Sequence, residues 1–203
     1  MIELIGYMDS PFVRRVGVSA KFLGVPFEHK ELSIFRNYDE FRKINPLVKV
    51  PTLICEDGQL LVESTLIIDH LETISGKTLM PDDSNDRIAA LGFIGTALVA
   101  MEKVAQLIYE TKLRPEELQQ MRWIERLEQQ LTAATIVMEQ SVGDGSSWFF
   151  GDDISQADIS VAIAWRFVQH VVPQMVLAEK FPGLVEFSTR AEVVPEFAAC
   201  PLS

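Results

Sequence analysis

The sequence predicts two domains of different class, an α/β domain with a mixed four-stranded sheet and an all-helical domain behind it. Three observations support this division. Short apolar runs that suit strands are confined to residues 1–77. Residues 78–86 are polar and broken by Pro81, as expected for an interdomain linker. Residues 87–203 carry apolar side chains at helical spacing and contain no convincing strand run.

The first elements predict a βαβ unit. Residues 2–7 form a short apolar run that suits a buried strand. Ser10 and Pro11 have the N-cap and first-turn pattern of a helix start, and Gly24 suits the end of that helix. Residues 27–32 then predict a second strand. We therefore expect two parallel strands joined by a right-handed helical crossover.

The next elements predict a hairpin and a helix. Residues 52–56 and 59–62 are rich in β-forming side chains and flank Asp57-Gly58, so they should pair as antiparallel strands. Ser64 has the pattern of a cap for a helix that runs to about residue 74 and ends at Gly76. The order βαβ followed by ββα predicts a thioredoxin-like sheet with helices packed on it.

The helical domain is predicted from two apolar stripes and one capping pattern. The stripes predict two long helices, packed antiparallel with a turn near Arg114-Pro115. The first stripe is Leu91, Ile94, Leu98, Met101, Ala105 and Ile108, and the second is Leu118, Met121, Ile124, Leu127, Leu131, Ala134 and Met138. Ser155 and Asp158 have the spacing of a capping box, which predicts a third helix.

Composition and charge are those of a soluble globular protein. The chain has 203 residues, 48% of them apolar, which is enough to bury a core without disulfides. The formal net charge is −11, and no basic run is longer than the two residues of Arg14-Arg15. Nucleic acids and anionic membranes need a basic footprint on their protein partner. We therefore expect neither a nucleic-acid nor a membrane partner.

The cysteines and the N-terminus predict a cytoplasmic protein. Cys55 and Cys200 are far apart and lack metal-ligand spacing, so we expect free thiols and no metal, with a single disulfide left open. The N-terminus lacks the basic start and the long apolar run of a signal peptide. Residues 88–101 are shorter than the ~20 residues that span a bilayer, and we interpret them as a core helix.

Four motifs, taken in order, resemble the soluble glutathione transferases over essentially the whole chain. They are Ser10-Pro11-Phe12-Val13-Arg14-Arg15-Val16, then Asn45-Pro46 with Lys49-Val50-Pro51-Thr52-Leu53, then Glu63-Ser64, and finally Ser155-Gln156-Ala157-Asp158. Each motif is weak alone, and the specificity lies in their order and spacing. The resemblance implies a bacterial-like enzyme with a serine-type active site and glutathione as co-substrate.

The resemblance implies that Ser10 is the catalytic residue. A cysteine thiol has a pKa of about 8.5, so little thiolate exists at neutral pH. A hydroxyl donor at a helix N-terminus favours the anion through a hydrogen bond and the helix dipole. The residues alone leave two alternatives open: Ser10 only caps its helix, or Tyr7, near the end of the first strand, activates the thiol.

The resemblance also implies a glutathione-binding set, which comprises Ser10, Lys49, Val50, Glu63 and Ser64. Val50-Pro51 resembles a cis-proline that presents the Val50 backbone to the cysteinyl part of glutathione. Glu63 and Ser64 would hold the γ-glutamyl end, and Lys49 would neutralise the glycyl carboxylate. The alternatives are a trans proline at a strand start, a helix cap and a solvated lysine.

Two departures from the family pattern stand in the sequence. Val48 occupies a position where the family often has Gly, so we expect a slightly different turn before Pro51. The position of Ser10 holds no Cys, which disfavours the cysteine-based classes of the family.

We expect a homodimeric glutathione transferase whose second substrate is a small hydrophobic electrophile. Met8, Phe12, Tyr109 and Leu113 are the candidate residues for the second-substrate pocket. Two alternative functions remain open. One is a glutathione-dependent isomerase of the maleylacetoacetate type, which ranks lower because the Ser-rich signature of that enzyme is absent. The other is a non-catalytic binding or regulatory protein of the same fold.

Overall fold

A computed structural model describes residues 1–202 of the chain. These residues form two compact units, and each is described here by itself. The first unit comprises residues 1–79 together with residues 193–202, and the second comprises residues 80–192. The predicted linker, residues 78–86, spans the division between them. The predicted helical domain included the C-terminal residues, which in the structure belong to the first unit.

The first unit contains the predicted mixed four-stranded sheet. Its strands are β1 (Ile2–Ile5), β2 (Phe27–Lys30), β3 (Thr52–Ile54) and β4 (Leu60–Val62), in the order β2-β1-β3-β4. β1 pairs with β2 in parallel, as the βαβ prediction requires. β3 pairs antiparallel with both β1 and β4, which confirms the hairpin.

Helix α1 (Pro11–Leu23) has the predicted start and end. Ser10 is its N-cap residue, and Gly24 ends it in the left-handed region with a φ of 71°. The predicted apolar face of α1, made of Val13, Val16, Ala20 and Leu23, is buried. Helix α1 packs against the helix that follows the hairpin, α3 (Ser64–Ser75), and against β1.

Helix α2 (Tyr38–Ile44) was not predicted from the sequence. It has seven residues, and Phe41 alone is buried among them, so it has no apolar stripe. Its N-cap residue, Asn37, makes no capping hydrogen bond with its side chain. Phe41 packs in a buried cluster with Ile5 of β1 and with Leu32 of the segment after β2.

The second unit is helical, as predicted. Its helices are α4 (Ser84–Ile108), α5 (Met121–Val142), α6 (Gln156–Val171) and α7 (Pro182–Glu192), with a π-helical turn, Tyr109–Leu113, that continues α4. Helix α4 packs against both α5 and α6. The predicted stripes face the core through residues such as Ile94 and Leu127, whereas their outer members Leu91 and Leu118 are exposed.

By length and apolar composition alone, the segment Ser84–Leu113 could cross a membrane. One side of α4 is instead buried within the second unit. Its buried residues are Ala90, Ile94, Ala97, Ala100, Met101, Val104 and Leu107. We interpret α4 as the core helix of this unit, as the sequence predicted.

The capping box at the start of α6 is confirmed. The Asp158 carboxylate accepts hydrogen bonds from the Ser155 N–H at 2.8 Å and from the Ser155 hydroxyl at 2.6 Å. It also accepts one from the Phe149 N–H at 2.9 Å. Burial raises the pKa of Asp158, and these hydrogen bonds oppose that rise by stabilising the charged form.

The last helix, α8 (Pro195–Ala198), belongs to the first unit and packs against α1. The Arg14 Nε donates a hydrogen bond of 2.8 Å to the Cys200 carbonyl oxygen. The guanidinium of Arg14 also lies 5.9 Å from the centre of the Phe197 ring, which meets Phe22 edge-on. These contacts explain why the C-terminal residues belong to this unit.

Candidate functional site

The loop after β1 places Ser10 at the N-terminus of α1. Its N–H donates to the Tyr7 carbonyl at 3.1 Å, and its carbonyl accepts from the Arg14 N–H at 2.9 Å. The Ser10 side chain makes no capping hydrogen bond to α1. One alternative from the sequence was that Ser10 serves only as a cap. Its hydroxyl instead remains available to a ligand at the positive end of the helix dipole.

Tyr7, the competing activator, lies in this loop and not in the strand, because β1 ends at Ile5. The Arg36 guanidinium lies 5.4 Å from the centre of the Tyr7 ring. Tyr7 is half-buried. Both hydroxyl groups therefore belong to the same loop.

The loop before β3 contains the predicted cis peptide bond, between Val50 and Pro51. Two side chains fix this loop. The buried Thr52 hydroxyl donates to the Lys49 carbonyl at 2.6 Å and accepts from Asn45 Nδ2 at 2.8 Å. In the sequence, Asn45 and Thr52 stand out only as parts of motifs. Together they hold the backbone on both sides of Val50, while the Lys49 side chain is exposed.

Val48 has a φ of 48°, which lies in the left-handed region. A β-branched residue is rarely found there, because its side chain crowds the backbone. The Gly that the resemblance leads one to expect at this position suits that conformation. Val48 therefore adopts a conformation that glycine would adopt without strain.

Glu63, and not Ser64, is the N-cap of α3, which corrects the prediction. Its carboxylate accepts hydrogen bonds from the N–H groups of Thr65 and Leu66, at 3.1 Å and 3.3 Å. Ser64 is the first residue of the helix, and its side chain is buried. The Ser64 hydroxyl lies 3.3 Å from Glu63 Oε1, to which it donates.

Buried Arg15 supports the start of α3 through hydrogen bonds to its first two residues, a role that was not predicted from the sequence. It is 1% exposed, and its Nη1 donates to Ser64 Oγ at 2.8 Å and to Thr65 Oγ1 at 3.2 Å. Burial lowers the pKa of Arg15 to about 10, against the opposing attraction of Glu63. The guanidinium therefore keeps its charge at neutral pH.

These charges suit the two ends of an amino acid. The N-terminus of α3, with a buried guanidinium behind it, favours a carboxylate. The exposed Glu63 carboxylate beside it favours an ammonium group. The start of α3 can thus hold a free amino-acid moiety by both of its charged groups.

Strand register brings the three loops to one edge of the sheet. Ile5 of β1 lies opposite Thr52 of β3, and Thr52 lies opposite Val62 of β4. The loop with Ser10 follows β1, the cis-proline loop precedes β3, and Glu63 follows β4. Because these strand ends are neighbours, the predicted residues Ser10, Val50, Glu63 and Ser64 gather at that edge.

Comparison with known proteins agrees with this arrangement. The glutathione S-transferase N-terminal domain model matches residues 4–78, and the C-terminal domain model of that family matches residues 100–199. The chain belongs to the glutathione S-transferase family. Its two matched regions cover most of both units of the transferase fold.

Individual relatives are similar along nearly the whole chain. Glutathione S-transferase U1 of Arabidopsis thaliana is 28% identical over 98% of this chain and 88% of its own length. Maleylacetoacetate isomerase of Pseudomonas aeruginosa is 27% identical over 98% of this chain and 91% of its own length. A glutathione transferase family member from Pseudomonas fluorescens, solved with bound glutathione, is 25% identical, with a TM-score of 0.86 and full coverage of both chains.

The residues predicted for the transferase's second-substrate pocket differ in exposure. Met8 is 5% exposed, and its side chain lies against Gly17 of α1, so it is not available to a ligand. Phe12 is half-buried in the first turn of α1. In the second unit, Tyr109 and Leu113 are 48% and 52% exposed on the π-helical turn after α4.

Buried Glu110 holds this π-helical turn in place. Its carboxylate accepts from Arg114 Nε at 2.8 Å and from the Gln120 N–H at 2.8 Å. π-helical turns are rare and often lie at functional sites. The exposed side chains of Tyr109 and Leu113 are therefore carried on a backbone that Glu110 fixes at both ends of the turn.

Proposed function

We propose that this glutathione transferase activates the thiol of glutathione through Ser10, for attack on a small apolar electrophile. The observation that carries the proposal is the strand register, which gathers the Ser10 loop, the Val50-Pro51 loop and the start of α3 at one edge of the sheet. Family membership and the glutathione bound to the Pseudomonas fluorescens relative support it.

The charges of glutathione match those of the site. Its γ-glutamyl end carries an ammonium and a carboxylate, for which we propose Glu63 and the start of α3 at Ser64 as partners. The Val50 backbone would pair with the cysteinyl part in the manner of an added strand. Lys49, whose side chain is exposed, would neutralise the glycyl carboxylate. This arrangement directs the thiol toward the N-terminus of α1.

Ser10 would then donate its hydroxyl hydrogen to the sulfur and favour the thiolate. A hydrogen bond to a charged group contributes about 1.5–3 kcal/mol, which corresponds to about one to two pKa units. The thiolate attacks the electrophilic carbon, an S–C bond forms, and the leaving group departs where the electrophile carries one. Proximity in the ternary complex supplies further rate.

For the second substrate we propose Tyr109 and Leu113 of the second unit as contacts and set Met8 aside, since its side chain is buried. We also propose a cytoplasmic homodimer. Three apolar side chains on the outer side of α4 support an interface between copies, because they are exposed in the single chain. They are Ile88, Leu91 and Val99.

A glutathione-dependent isomerase is the second candidate, favoured by the likeness to the Pseudomonas aeruginosa maleylacetoacetate isomerase. It would need the same activated thiol, but glutathione would be released unchanged after the substrate rearranges. Consumption of glutathione therefore separates the two reactions.

The test begins with retention of the protein on immobilised glutathione and elution with free glutathione. Conjugation is then assayed with a panel of aryl halides, alkyl halides and enones, and isomerisation is assayed with maleylacetoacetate. We expect retention, together with stoichiometric loss of glutathione for at least one electrophile. Isomerisation without glutathione loss would favour the second candidate. Retention without any turnover would make the protein a binding module and contradict the proposal.

A further inference from the structure

A cavity lies at the end of the first unit's sheet that is remote from Ser10. Its volume is about 960 Å³, and Ile2, Cys55 and His70 are among the residues that line it. Ile2 begins β1, and Cys55 directly follows β3, which runs antiparallel to β1. Both are therefore at the sheet edge remote from Ser10. We infer that Cys55 and His70 form a second reactive site here, which captures small neutral α,β-unsaturated carbonyl compounds covalently.

The geometry of the pair suits proton transfer. Cys55 Sγ lies 3.6 Å from His70 Nε2, within the range of a hydrogen bond to sulfur, and both side chains are half-buried. The hairpin turn holds Cys55, because its N–H donates to the Gln59 carbonyl at 2.8 Å and its carbonyl accepts from Gly58 at 2.9 Å. His70 is held on α3. The two groups meet across elements that are each fixed by backbone hydrogen bonds.

The thiol needs this partner. Burial, with a smaller contribution from the Asp57 carboxylate, raises the pKa of the Cys55 thiol above its usual value. At neutral pH the thiolate is therefore scarce, and reaction depends on a base that removes the proton as the thiol attacks. The His70 imidazole is placed to act as that base.

The walls of the cavity select the reactant. Apolar side chains line much of it, namely Ile2, Leu23, Val25, Leu61 and Ile74. Its charged groups are the Met1 ammonium, Glu56, Asp57 and Lys77, and the Met1 ammonium and Glu56 pair at 2.9 Å. Asp57, beside Cys55, disfavours an anionic reactant such as glutathione disulfide. A neutral, apolar and soft electrophile fits both the charge and the lining.

The reaction is a conjugate addition that needs no oxidant and no leaving group. His70 Nε2 takes the Sγ proton, and the thiolate attacks the β-carbon of the enone to form an S–C bond. The carbon–carbon π electrons move toward the carbonyl and give an enolate. The imidazolium then returns the proton to the α-carbon, so the product contains every atom of both reactants.

The test uses methyl vinyl ketone with the intact protein at pH 7, followed by intact-mass and peptide mass spectrometry. We expect one adduct, on Cys55, while Cys200, which is 1% exposed, stays unmodified and serves as the internal control. His70→Asn removes the base at similar size and should slow the addition about tenfold or more. His170→Asn, at an exposed histidine of the second unit, is the matched control and should leave the rate unchanged.

Thermal unfolding of each variant checks that the fold is retained, and His70→Gln replaces His70→Asn if that variant does not fold. Equal rates in wild type and in the folded His70 variant would overturn the inference. So would modification of Cys200 as fast as that of Cys55. In the last experiment, the protein is treated with glutathione disulfide at the same concentration. Modification of Cys55 that is faster with the disulfide than with methyl vinyl ketone would contradict the assigned reactant class.

Discussion

At the scale of single residues, Glu63 holds a backbone conformation that non-glycine residues rarely adopt, with a φ of 75°. Such conformations cost about 1–3 kcal/mol and persist where the surroundings determine them. The surroundings here are the hydrogen bonds from the Thr65 and Leu66 N–H groups to the Glu63 carboxylate. The same carboxylate is exposed and faces the proposed position of the glutathione ammonium.

Glu63→Gln separates these two roles, since it keeps a side-chain oxygen for the cap and removes the charge. We expect the KM for glutathione to rise about tenfold, equivalent to 1.4 kcal/mol, with kcat within a few-fold of wild type. The thermal midpoint should move by only a few degrees. Steady-state kinetics with glutathione as the varied substrate provide the measurement. Glu28→Gln, at an exposed position on β2, is the matched control, and an unchanged KM in Glu63→Gln would remove Glu63 from the proposed site.

At the scale of elements, the start of α6 depends on one buried carboxylate. Asp158 accepts three hydrogen bonds, and two of them come from backbone N–H groups, at Ser155 and Phe149. The capping box predicted from spacing accounts only for the bonds to Ser155. The bond to Phe149 ties the preceding loop to the same helix end.

Asp158→Ala should therefore cost more than an ordinary cap. Loss of a cap alone costs about 0.5–2 kcal/mol. Here two N–H groups lose their acceptor, at about 1–3 kcal/mol for each that stays buried, so we expect about 2–4 kcal/mol. Urea unfolding measures the change. Asp153→Ala, at an exposed position in the preceding loop, should change stability by less than about 0.5 kcal/mol. A loss in Asp158→Ala no larger than in this control would contradict the account.

The elements that the sequence predicted are those whose signal is local. Ser10-Pro11 predicts the start of helix α1, and Gly24 predicts its end. Asp57-Gly58 predicts the turn of the hairpin. Helix α2 lacks such a signal, because its one buried side chain, Phe41, cannot form a stripe. The sequence also placed the α3 cap one residue late, since Glu63 caps the helix from a backbone conformation that sequence rarely reveals.

The candidate site likewise contains residues that local motifs predict and one residue that they do not. Ser10, Val50, Glu63 and Ser64 could be named from short motifs. The contribution of Arg15 could not, because its partner Ser64 lies 49 residues away in sequence. An arginine in an amphipathic helix is ordinarily assigned to solvent, and only the packing of α1 against α3 shows why this one is buried.

At the scale of the whole molecule, the chain does not divide at a single point. It leaves the first unit after residue 79 and returns to it at residue 193. The returning segment packs Phe197 against Phe22 and Arg14 of α1. The stability of α1, whose N-terminus carries Ser10, thus depends on residues that are last in sequence.

Phe197→Ala tests this dependence. Truncation of a buried phenylalanine costs about 3–5 kcal/mol, and we expect the loss to appear as faster hydrogen exchange in the amides of α1. Val193→Ala is the matched control in the same segment, because Val193 is 76% exposed. If α1 exchanged at the wild-type rate in a folded Phe197→Ala protein, the C-terminal segment would not support the first unit.

For the whole enzyme, the central claim is that different residues bind glutathione and activate its thiol. Charge at the start of α3 and the Val50 backbone would hold the ligand, while the Ser10 hydroxyl and the α1 helix dipole would stabilise the thiolate. Ser10→Ala should then leave the affinity for glutathione within a few-fold and lower kcat by roughly ten- to a hundredfold, equivalent to about 1.4–2.7 kcal/mol. Isothermal titration with glutathione and steady-state kinetics provide these two values.

The most direct test is an ultraviolet difference titration of enzyme-bound glutathione, because the thiolate absorbs and the thiol does not. We predict that the pKa of the bound thiol lies below the ordinary value of about 8.5 in the wild type and rises by about one to two units in Ser10→Ala. The pH at which activity appears should rise by the same amount. Equal thiolate pKa values in the two proteins would contradict the assignment of Ser10, and Tyr7→Phe would then be the substitution to titrate.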